Sequence, residues 1–299
     1  MISFRAFAGG VVLLCLVAEV AQAQQFPFAG RHASQAQLAR RFHDPAPHRT
    51  GGPVLLSGKL LTKTVIVTKA PGVPSLVLKY DAGKAGLSYV EVELASGTSG
   101  QAAFVDWTNP GPATTMAGKG TLTLGNQGYS GSLYAQPGDW HVQSMELYDG
   151  AGNETLYDES QLAALFPTVD FTVKNSNTPD IVPPNVAAGQ ILTPAVTVSS
   201  KQPYFGASLT VSDNLSGVVA IYVDLLDPQH EYWEAWDHPP AAIVESGTAS
   251  AWVWLGGAPT GTWTIAYYFV YDSAGNVTEG NTPDEITALF GTNTFTVNP

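Results

Sequence analysis

Residues 148–173 read YDGAGNETLYDESQLAALFPTVDFTV, and residues 271–297 read YDSAGNVTEGNTPDEITALFGTNTFTV. Both stretches begin with an aromatic residue, an aspartate and, one residue later, the letters AGN. Both end in an alternating F-T-V segment that follows a short apolar stretch. The same motifs in the same order, at a nearly constant separation, indicate that the chain contains an internal duplication.

The repeat extends well beyond these two stretches. GKLLTKTVIV at 58–67 matches GQILTPAVTV at 189–198, and GDWHV at 138–142 matches GTWTI at 261–265. Matches on both sides of the opening motif indicate that a whole domain is repeated rather than one loop.

We therefore predict two similar domains, named copy 1 (residues 53–174) and copy 2 (residues 185–299). Residues 175–184 between them are rich in Pro and Asn, a composition typical of a short, fairly stiff linker. Each copy is long enough for a core of its own, and the hydrophobic fraction of 44% is normal for a globular protein.

Apolar residues alternate with polar ones in several segments of each copy. Two such runs occupy corresponding positions, and their apolar members are Val90, Val92 and Leu94 in copy 1 and Ile221, Val223 and Leu225 in copy 2. A period of two is typical of strands with one buried face. Short strands between frequent Gly, Pro and Asn turns favour an all-β fold of antiparallel sandwiches.

A short helix is predicted between the last two strands of each copy. Residues 282–285, TPDE, have the spacing of a capping box with proline at the first helical position, and residues 158–161, DESQ, stand in the same place in copy 1. Apolar residues then follow at helical spacing. We expect a helix of one to two turns that packs on the end of each sandwich.

VSDNLSGVVAIYVDLLDP at 211–228 and GTWTIAYYFVYDSAGN at 261–276 resemble the bacterial immunoglobulin-like (Big-type) modules that occur in tandem on secreted and surface proteins. Copy 1 keeps YDGAGN but has KYDAGKAGL in place of the SD-SG turn. The resemblance implies two tandem immunoglobulin-like β-sandwiches and a bacterial source. It is specific for a fold and says little about function.

Residues 1–23 have the pattern of a signal peptide. Arg5 precedes the apolar run AFAGGVVLLCLVAEV, and AQA at 21–23 matches a signal-peptidase site. We expect cleavage near Ala23, no transmembrane segment in the mature chain, and a protein that is secreted or periplasmic. Residues 24–52 carry four Arg against one Asp and are predicted to be a flexible basic leader.

The rest of the chain is strongly acidic. From residue 53 onward there are 8 Lys and no Arg against 23 acidic residues, within a whole-chain formal charge of −12. A body of this charge repels phosphate backbones, so nucleic acid is excluded as a partner. The only cysteine, Cys15, lies in the predicted signal peptide, which leaves neither a disulfide nor thiolate chemistry to the mature protein.

Aspartates close the turns at the ends of two predicted strands in each copy. They are Asp81 and Asp149 in copy 1, and Asp213 and Asp272 in copy 2. In an immunoglobulin topology these strand ends meet at one pole, where paired carboxylates would suit Ca²⁺. The alternative is that each Asp accepts hydrogen bonds only from its own turn.

Comparison of the two copies indicates a candidate binding surface. Positions occupied by Thr, Ser and Glu in copy 1 become aromatic in copy 2, and two Trp appear at i and i+2, which places them on the same side of a strand. The predicted ligand-binding residues are Trp252, Trp254, Tyr222, Tyr267, Phe269, Trp233 and Trp236. Such a surface would serve a protein or carbohydrate partner, in adhesion at the cell envelope for example.

Burial is the alternative for these aromatic residues. A strand register shifted by one residue would place Trp252 and Trp254 in the core. The aromatic face would also be covered if it packed on copy 1 or on another subunit, and the protein would then be a structural spacer.

No catalytic motif is recognisable in the sequence. His230, Asp237 and His238 share one segment, but their spacing matches no usual zinc or acid-base pattern. We therefore predict a noncatalytic binding or structural protein, with no cofactor apart from the candidate Ca²⁺. A hydrolase accessory module or an enzyme with an unmarked loop site is the remaining alternative.

Overall fold

The computed structural model of the protein describes residues 52–72, 74–125, 132–239 and 241–299. The predicted signal peptide and nearly all of the predicted leader lie outside the described residues. The described residues all belong to one compact unit. No helix in the described part of the chain has both the length and the hydropathy needed to cross a membrane.

Copy 1 is built from short strands, as predicted. Within the described residues they are β1 (Val54–Leu60), β2 (Thr64–Val67), β3 (Leu76–Asp81), β4 (Leu87–Ser96), β5 (Ala102–Thr108), β6 (Lys119–Leu124), β7 (Gly138–Asp149), β8 (Glu154–Tyr157) and β9 (Asp170–Asn175). A small sheet has the order β1-β3-β6, and a larger sheet has the order β2-β9-β7-β4-β5, with β8 paired to β7. A short 3-10 helix, Ala113–Met116, precedes β6.

Copy 2 repeats this order of strands. They are β10 (Asn185–Ile191), β11 (Ala195–Thr197), β12 (Tyr204–Ser212), β13 (Val218–Leu226), β14 (Tyr232–Asp237), β15 (Gly247–Trp254), β16 (Gly261–Asp272), β17 (Val277–Gly280) and β18 (Thr294–Asn298). The order is β10-β12-β15-β14-β13-β16-β18-β11, with β17 paired to β16. This sheet is continuous because Trp236 of β14 pairs with Trp252 of β15.

The duplication predicted from the sequence is visible in the pairing of the strands. In both copies the last strand pairs in parallel with a short strand near the start of the copy, β2 with β9 and β11 with β18. The neighbouring pairs, such as β4 with β7 and β13 with β16, are antiparallel. The all-β class is therefore confirmed, and the sheets are curled into half-barrels.

Each copy has a hydrophobic core of its own. In copy 1 one cluster combines Leu78 of the small sheet with Val92 and Met145 of the larger sheet. In copy 2 the corresponding cluster includes Phe205 and Trp263. The six alternating apolar residues picked out from the sequence are all buried and lie in β4 and β13, which confirms that these segments are strands. The prediction that only one face of each strand is buried was wrong, because residues between them such as Glu91 and Tyr222 are buried as well.

The two predicted helices are present. They are α1 (Glu159–Leu165) and α2 (Pro283–Phe290), and each lies just before the last strand of its copy. Both have complete capping boxes, formed by Asp158 with Gln161 in copy 1 and by Thr282 with Glu285 in copy 2. Leu162 and Ile286 are fully buried, so the helices pack on the core as expected.

We predict that Thr282→Ala lowers the free energy of unfolding by about 1 kcal/mol, because the Glu285 backbone N–H loses its acceptor at the helix N-terminus. Urea unfolding at neutral pH measures the change. Thr287→Ala is the matched control: Thr287 is exposed within α2, where alanine is the better helix former, so a neutral or slightly stabilising effect is expected. Equal losses in the two variants would contradict the capping role.

The linker and one edge strand hold the copies together. The Ala102 backbone N–H of β5 donates to the Gly275 carbonyl in the turn after β16 (2.9 Å). The Phe104 ring packs edge-on against Tyr271, with 6.4 Å between ring centroids. Asp180 of the linker donates its backbone N–H to the Tyr134 carbonyl of copy 1 (3.0 Å), and its side chain accepts from the Ser216 N–H of copy 2 (2.9 Å).

Candidate functional site

Trp252 and Trp254 point away from the core of copy 2. Along β15 the buried positions Ala249 and Ala251 alternate with outward ones, and the two Trp side chains remain 43% and 44% exposed. The outward register of the Trp pair is therefore confirmed, and the alternative that they are core residues is excluded. Two outward residues separated by one other residue lie about 7 Å apart along a strand.

Glycines allow both Trp rings to lie close to the backbone. A methyl group on Gly206, the cross-strand partner of Trp252, would overlap the Trp252 ring, and one on Gly256 would overlap the Trp254 ring. Tyr204 stands opposite Trp254 in the same register and is half-buried. Each ring thus rests on a glycine, which leaves its opposite side toward solvent.

An aromatic row crosses the outer face of copy 2 from this pair. The pairing register places Trp236 beside Trp252, Tyr222 beside Trp236, and Phe269 beside Tyr222. Trp252 is exposed, Trp236 is half-buried, and both Tyr222 and Phe269 are fully buried. One end of the row therefore faces solvent, whereas the other end is covered.

Part of the predicted ligand-binding set is thus buried. Tyr222, Tyr267 and Phe269 form an aromatic cluster with Tyr271, and none of the three has the exposure that a binding surface needs. Their strand face was assigned correctly from the sequence, but that face is covered. Trp233 also departs from the prediction, because its ring packs toward the core against Trp263, with ring centroids 5.4 Å apart.

Copy 1 covers the inner end of the aromatic row. Phe104 contacts Tyr271. Burial raises the pKa of Tyr222 well above its usual value; Glu234 and Tyr271 of copy 2 add to the rise, and so do Glu91 and Asp106 of copy 1. The outward face of β4 is buried at the same place, since Glu91 and Glu93 are almost inaccessible. This arrangement is the packing on copy 1 that was considered as an alternative from the sequence.

The face that copy 1 contributes is a cluster of buried carboxyl groups. Tyr89 donates to Glu91 Oε2 (2.9 Å), Ser144 to Glu93 Oε2 (3.0 Å), and Tyr148 to Glu146 Oε2 (2.8 Å). These contacts only partly offset the loss of water. Burial raises the pKa of Glu91 well above its usual value, with Glu146 and Asp106 adding to the rise.

Two other carboxyl groups of this cluster titrate near neutrality. Burial raises the pKa of Glu93 to about 8. The hydrogen bond from Ser144 lowers this pKa, and the nearby Glu146 raises it. Burial raises the pKa of Asp106 to about 7, while Tyr89 lowers it and Glu146 raises it. Several of these carboxyl groups therefore carry protons at neutral pH, which lets an acidic face lie against an aromatic one.

The four predicted Asp residues all bind their own turns. Asp81 accepts from the Gly83 N–H (3.1 Å), and Asp149 accepts from the backbone N–H of the second and fourth residues after it. Asp213 and Asp272 make the same pair of contacts in copy 2. Each of the four therefore makes contacts within its own turn, and those of Asp149 and Asp272 account for the D-x-AGN motif.

Asp213 and Asp272 also come together, and a third acid joins them. One carboxylate oxygen each from Asp180, Asp213 and Asp272 lies within 4.8 Å of the others, and all three residues are buried. Burial raises the pKa of Asp272 to about 7; Asn276 opposes the shift, and Asp213 and Asp180 increase it. Sequence reasoning missed Asp180 because the linker had been interpreted only as a spacer.

His230, Asp237 and His238 do not form a catalytic cluster in the structure. His238 Nε2 is hydrogen-bonded to the Tyr222 hydroxyl (3.0 Å), whereas Asp237 Oδ2 accepts from the Ser250 N–H (3.2 Å). Burial lowers the pKa of His238, although Asp237 raises it. His230 occupies a tight turn with a positive φ of 66°. Each residue thus has a separate structural environment.

No family model matches the chain, and no curated protein matches it. Similar solved structures include a DUF4785 family protein from Legionella pneumophila, at 10% identity over 77% of this chain and 56% of that chain, with a TM-score of 0.29. A putative ApaA protein from Bordetella pertussis is 15% identical over 39% and 96% of the two chains, with a TM-score of 0.22. A leucine-rich repeat protein from Bacteroides thetaiotaomicron is 12% identical over 75% and 23%, with a TM-score of 0.16. The chain spans 56% of the Legionella protein's length, and these similarities assign no function.

Proposed function

We propose that the protein is a noncatalytic binding protein that acts outside the cytoplasm, and that copy 2 holds a glycan against Trp252 and Trp254. The observation that carries this proposal is the exposure of two neighbouring Trp rings, each seated on a glycine. A soluble domain seldom leaves this much aromatic surface in water without a use. The faces of the rings carry partial negative charge and attract the C–H groups on one side of a sugar ring.

Small hydroxyl side chains lie on the same face of the sheet as the Trp pair. On β15 they are Thr248, which is exposed, and Ser250, which is half-buried; on β12 Thr210 is half-buried, whereas Ser208 beside Ser250 is buried. Together with the Trp rings they form a surface that offers both stacking and hydrogen bonds. A sugar needs both, because its hydroxyl groups lose water when its ring stacks.

Charge narrows the class of glycan. Copy 1 and copy 2 carry no Arg and a large excess of acidic residues, so a polyanionic ligand would be repelled. The proposal is therefore for a neutral glycan, such as an uncharged polysaccharide of an envelope or a plant or fungal wall. A protein partner remains an outcome of the experiment below.

The variant Trp252→Thr/Trp254→Thr tests this proposal, because it gives copy 2 the residues Thr121 and Thr123 that copy 1 carries at the equivalent positions. We expect the affinity for a retained glycan to fall at least about 30-fold, the loss typical of deleting a buried Trp contact. The full chain is screened on a panel of neutral and acidic polysaccharides, and every retained glycan is titrated with both proteins.

The matched control is Ile66→Ala, which removes an exposed apolar side chain from β2 of copy 1. Its affinity should equal that of the unchanged protein, and the double Trp variant should keep the same melting temperature within about 2 °C, because both changes are on the surface. If no glycan is retained, or if the double variant binds equally well, the glycan proposal is wrong.

We further propose that the two copies are tandem immunoglobulin-like sandwiches of the bacterial Big type, carried on a secreted or periplasmic chain. Support comes from the small sheet facing a larger sheet in copy 1 and from the parallel pair formed by the last strand in both copies. The signal-peptide pattern at 1–23 supports export. N-terminal sequencing of the exported protein checks the cleavage site near Ala23.

A purely structural role is the second candidate. It is favoured by the burial of the inner half of the aromatic row between the copies, as a spacer would require. The two roles differ at Trp252 and Trp254, whose exposure a spacer does not use. A protein that retains no glycan and no protein ligand, yet keeps its rigid two-copy form, would favour the spacer.

A further inference from the structure

The junction of the two copies holds an acidic cluster with an unusual composition. Asp180 comes from the linker, Asp213 follows β12, and Asp272 ends β16, and their exposed fractions are only 1%, 7% and 2%. One carboxylate oxygen from each lies within 4.8 Å of the other two. Carboxylates this close repel one another strongly away from water, unless a proton or a cation lies between them.

Two oxygens at the cluster have no hydrogen-bond partner. Asp213 Oδ1 accepts from two backbone N–H groups, but its buried Oδ2 accepts from none. The buried Ser216 Oγ is also unpartnered, and the Ser216 N–H donates to Asp180 Oδ2 (2.9 Å), which places this residue at the cluster. Buried oxygens without partners are rare in folded proteins and call for an explanation such as a bound ion.

We propose that Asp180, Asp213 and Asp272 bind Ca²⁺ at the junction between the copies, with the Ser216 hydroxyl as a further ligand. Every donor is an oxygen, and Ca²⁺ prefers carboxylate and neutral oxygen ligands in irregular arrangements. Zinc would require His or Cys, and no such residue belongs to the cluster. The site is independent of the Trp surface, so either proposal can fail without the other.

The proposed Ca²⁺ site lies where the linker meets copy 2. The backbone of Asp180 is held by copy 1 through the Tyr134 carbonyl and the Gln101 side chain, while its carboxylate faces Asp213 and Asp272 of copy 2. An ion bound there joins the linker to two strand ends of copy 2. We therefore expect Ca²⁺ to fix the orientation of one copy relative to the other.

Differences between the copies explain why the site occurs once. Asp81 and Asp149 are the copy 1 equivalents of Asp213 and Asp272; Asp149 makes the same two turn contacts as Asp272, and Asp81 accepts from the Gly83 N–H. The third acid comes from the linker, which follows copy 1 and precedes copy 2. Only the turns of copy 2 lie beside it.

The experiment uses the full chain, freed of metal with EDTA and then titrated with CaCl₂ from micromolar to 10 mM, the range that covers extracellular Ca²⁺ sites. Calorimetry and the melting temperature are recorded, with MgCl₂ as the comparison ion. We expect saturable heat and a rise in melting temperature of about 5–10 °C when Ca²⁺ exceeds its dissociation constant 100-fold. Mg²⁺, which tolerates irregular sites poorly, should give a much smaller rise.

The variants Asp213→Asn and Ser216→Ala locate the ion. Asp213→Asn should abolish the Ca²⁺-dependent rise, whereas Ser216→Ala, which keeps all three carboxylates, should weaken binding about 10-fold. Asp81→Asn is the matched control and should respond to Ca²⁺ like the unchanged protein. Circular dichroism in EDTA checks whether each variant is folded. If Asp213→Asn is not folded, the Ca²⁺ titration of Ser216→Ala decides the test.

Three results would overturn the proposal. The first is an unchanged melting temperature and no heat at 10 mM Ca²⁺, which would mean that protons neutralise the cluster. The second is an equal rise in Asp213→Asn and the unchanged protein. The third is an equal rise with Mg²⁺, which would indicate general screening of the acidic surface rather than a Ca²⁺ site.

Discussion

Gly275→Ala is expected to break the junction between the copies and to lower the free energy of unfolding by about 3 kcal/mol or more. Gly275 has a φ of +89°, and a side chain there would overlap the Ala102 carbonyl oxygen of β5. The same glycine accepts the Ala102 N–H (2.9 Å). Backbone strain and overlap with a backbone atom act together, and each costs about 1–3 kcal/mol.

Gly257→Ala is the matched control for this prediction. Gly257 has a similar φ of +80° in copy 2, but the space where its side chain would stand is open. Gly257→Ala should lower the free energy of unfolding by only about 1 kcal/mol, which is the cost of the backbone conformation alone. The difference between the two variants measures the contact between the copies.

Two measurements distinguish loss of the junction from loss of a fold. Urea unfolding gives the two free energies, and small-angle scattering reports whether the copies separate. In Gly275→Ala we expect a larger radius of gyration with unchanged β-structure by circular dichroism. If the two glycine variants lose equal stability and keep the same radius, the turn after β16 does not hold the copies together.

The sequence was sufficient for features that depend on neighbouring residues in the chain. The period-two strands and the two capping boxes follow from local rules, and the duplication follows from the repeated order of motifs along the chain; the same order of elements occurs in both copies. Alternation along one strand did not decide between the outer face and the core for Trp252 and Trp254; the burial of Ala249 and Ala251 places both Trp side chains outside. Local rules set these features because successive residues of a strand point to opposite faces and residues three or four apart share a face of a helix.

The sequence was not sufficient where the two copies meet. Tyr222 and Phe269 occupy the predicted outward face, yet copy 1 covers them. Alternation identifies the outer face of a sheet but not what packs on it. A signal was nevertheless present, because Glu91 and Glu146 are the copy 1 equivalents of Tyr222 and Phe269, so the outer faces differ sharply in polarity at these positions.

Asp180 was missed for a related reason. It lies in a Pro-rich linker whose composition predicts only stiffness, and its approach to Asp213 and Asp272 depends on how the linker is held by both copies. An acidic residue in a short linker beside a D-x-AGN turn is the signal that could have found it. Trp233 was predicted to bind a ligand at the surface, whereas it lies in β14 and its ring packs toward the core.

The stability of the protein is expected to fall as pH rises from about 5 to about 9, in the presence of EDTA. Glu93, with its pKa raised to about 8, is protonated in both the folded and unfolded states below its usual pKa. Between the usual pKa of a glutamate and pH 8, only the unfolded state loses this proton, so the free energy of unfolding falls. For Glu93 alone the loss between pH 5 and pH 9 is about 4 kcal/mol.

Asp106, with its pKa raised to about 7, acts in the same direction. The titratable groups that face this carboxyl cluster are Tyr89, Glu146 and Tyr148 in copy 1, and Tyr222, Asp224, Glu234, Tyr271 and Glu279 in copy 2. His238, which is hydrogen-bonded to the Tyr222 hydroxyl, also lies on this side, but its pKa is lowered, so it is uncharged at the pH where Glu93 ionises. None of these groups is then a cation. Ionisation of Glu93 therefore adds a negative charge to a buried surface with no positive partner among these groups.

Glu93→Gln tests the origin of the effect, since it keeps the shape of the side chain and an acceptor for the Ser144 hydroxyl. Urea unfolding is measured at pH 5, 7 and 9. At pH 5 the free energy of unfolding of Glu93→Gln should be close to that of the unchanged protein, and at pH 9 it should be about 3–4 kcal/mol higher. Glu231→Gln, at an exposed position, is the control and should leave the pH dependence intact. A pH dependence that survives unaltered in Glu93→Gln would show that another group controls it, and that the buried carboxyl groups between the copies are not the cause.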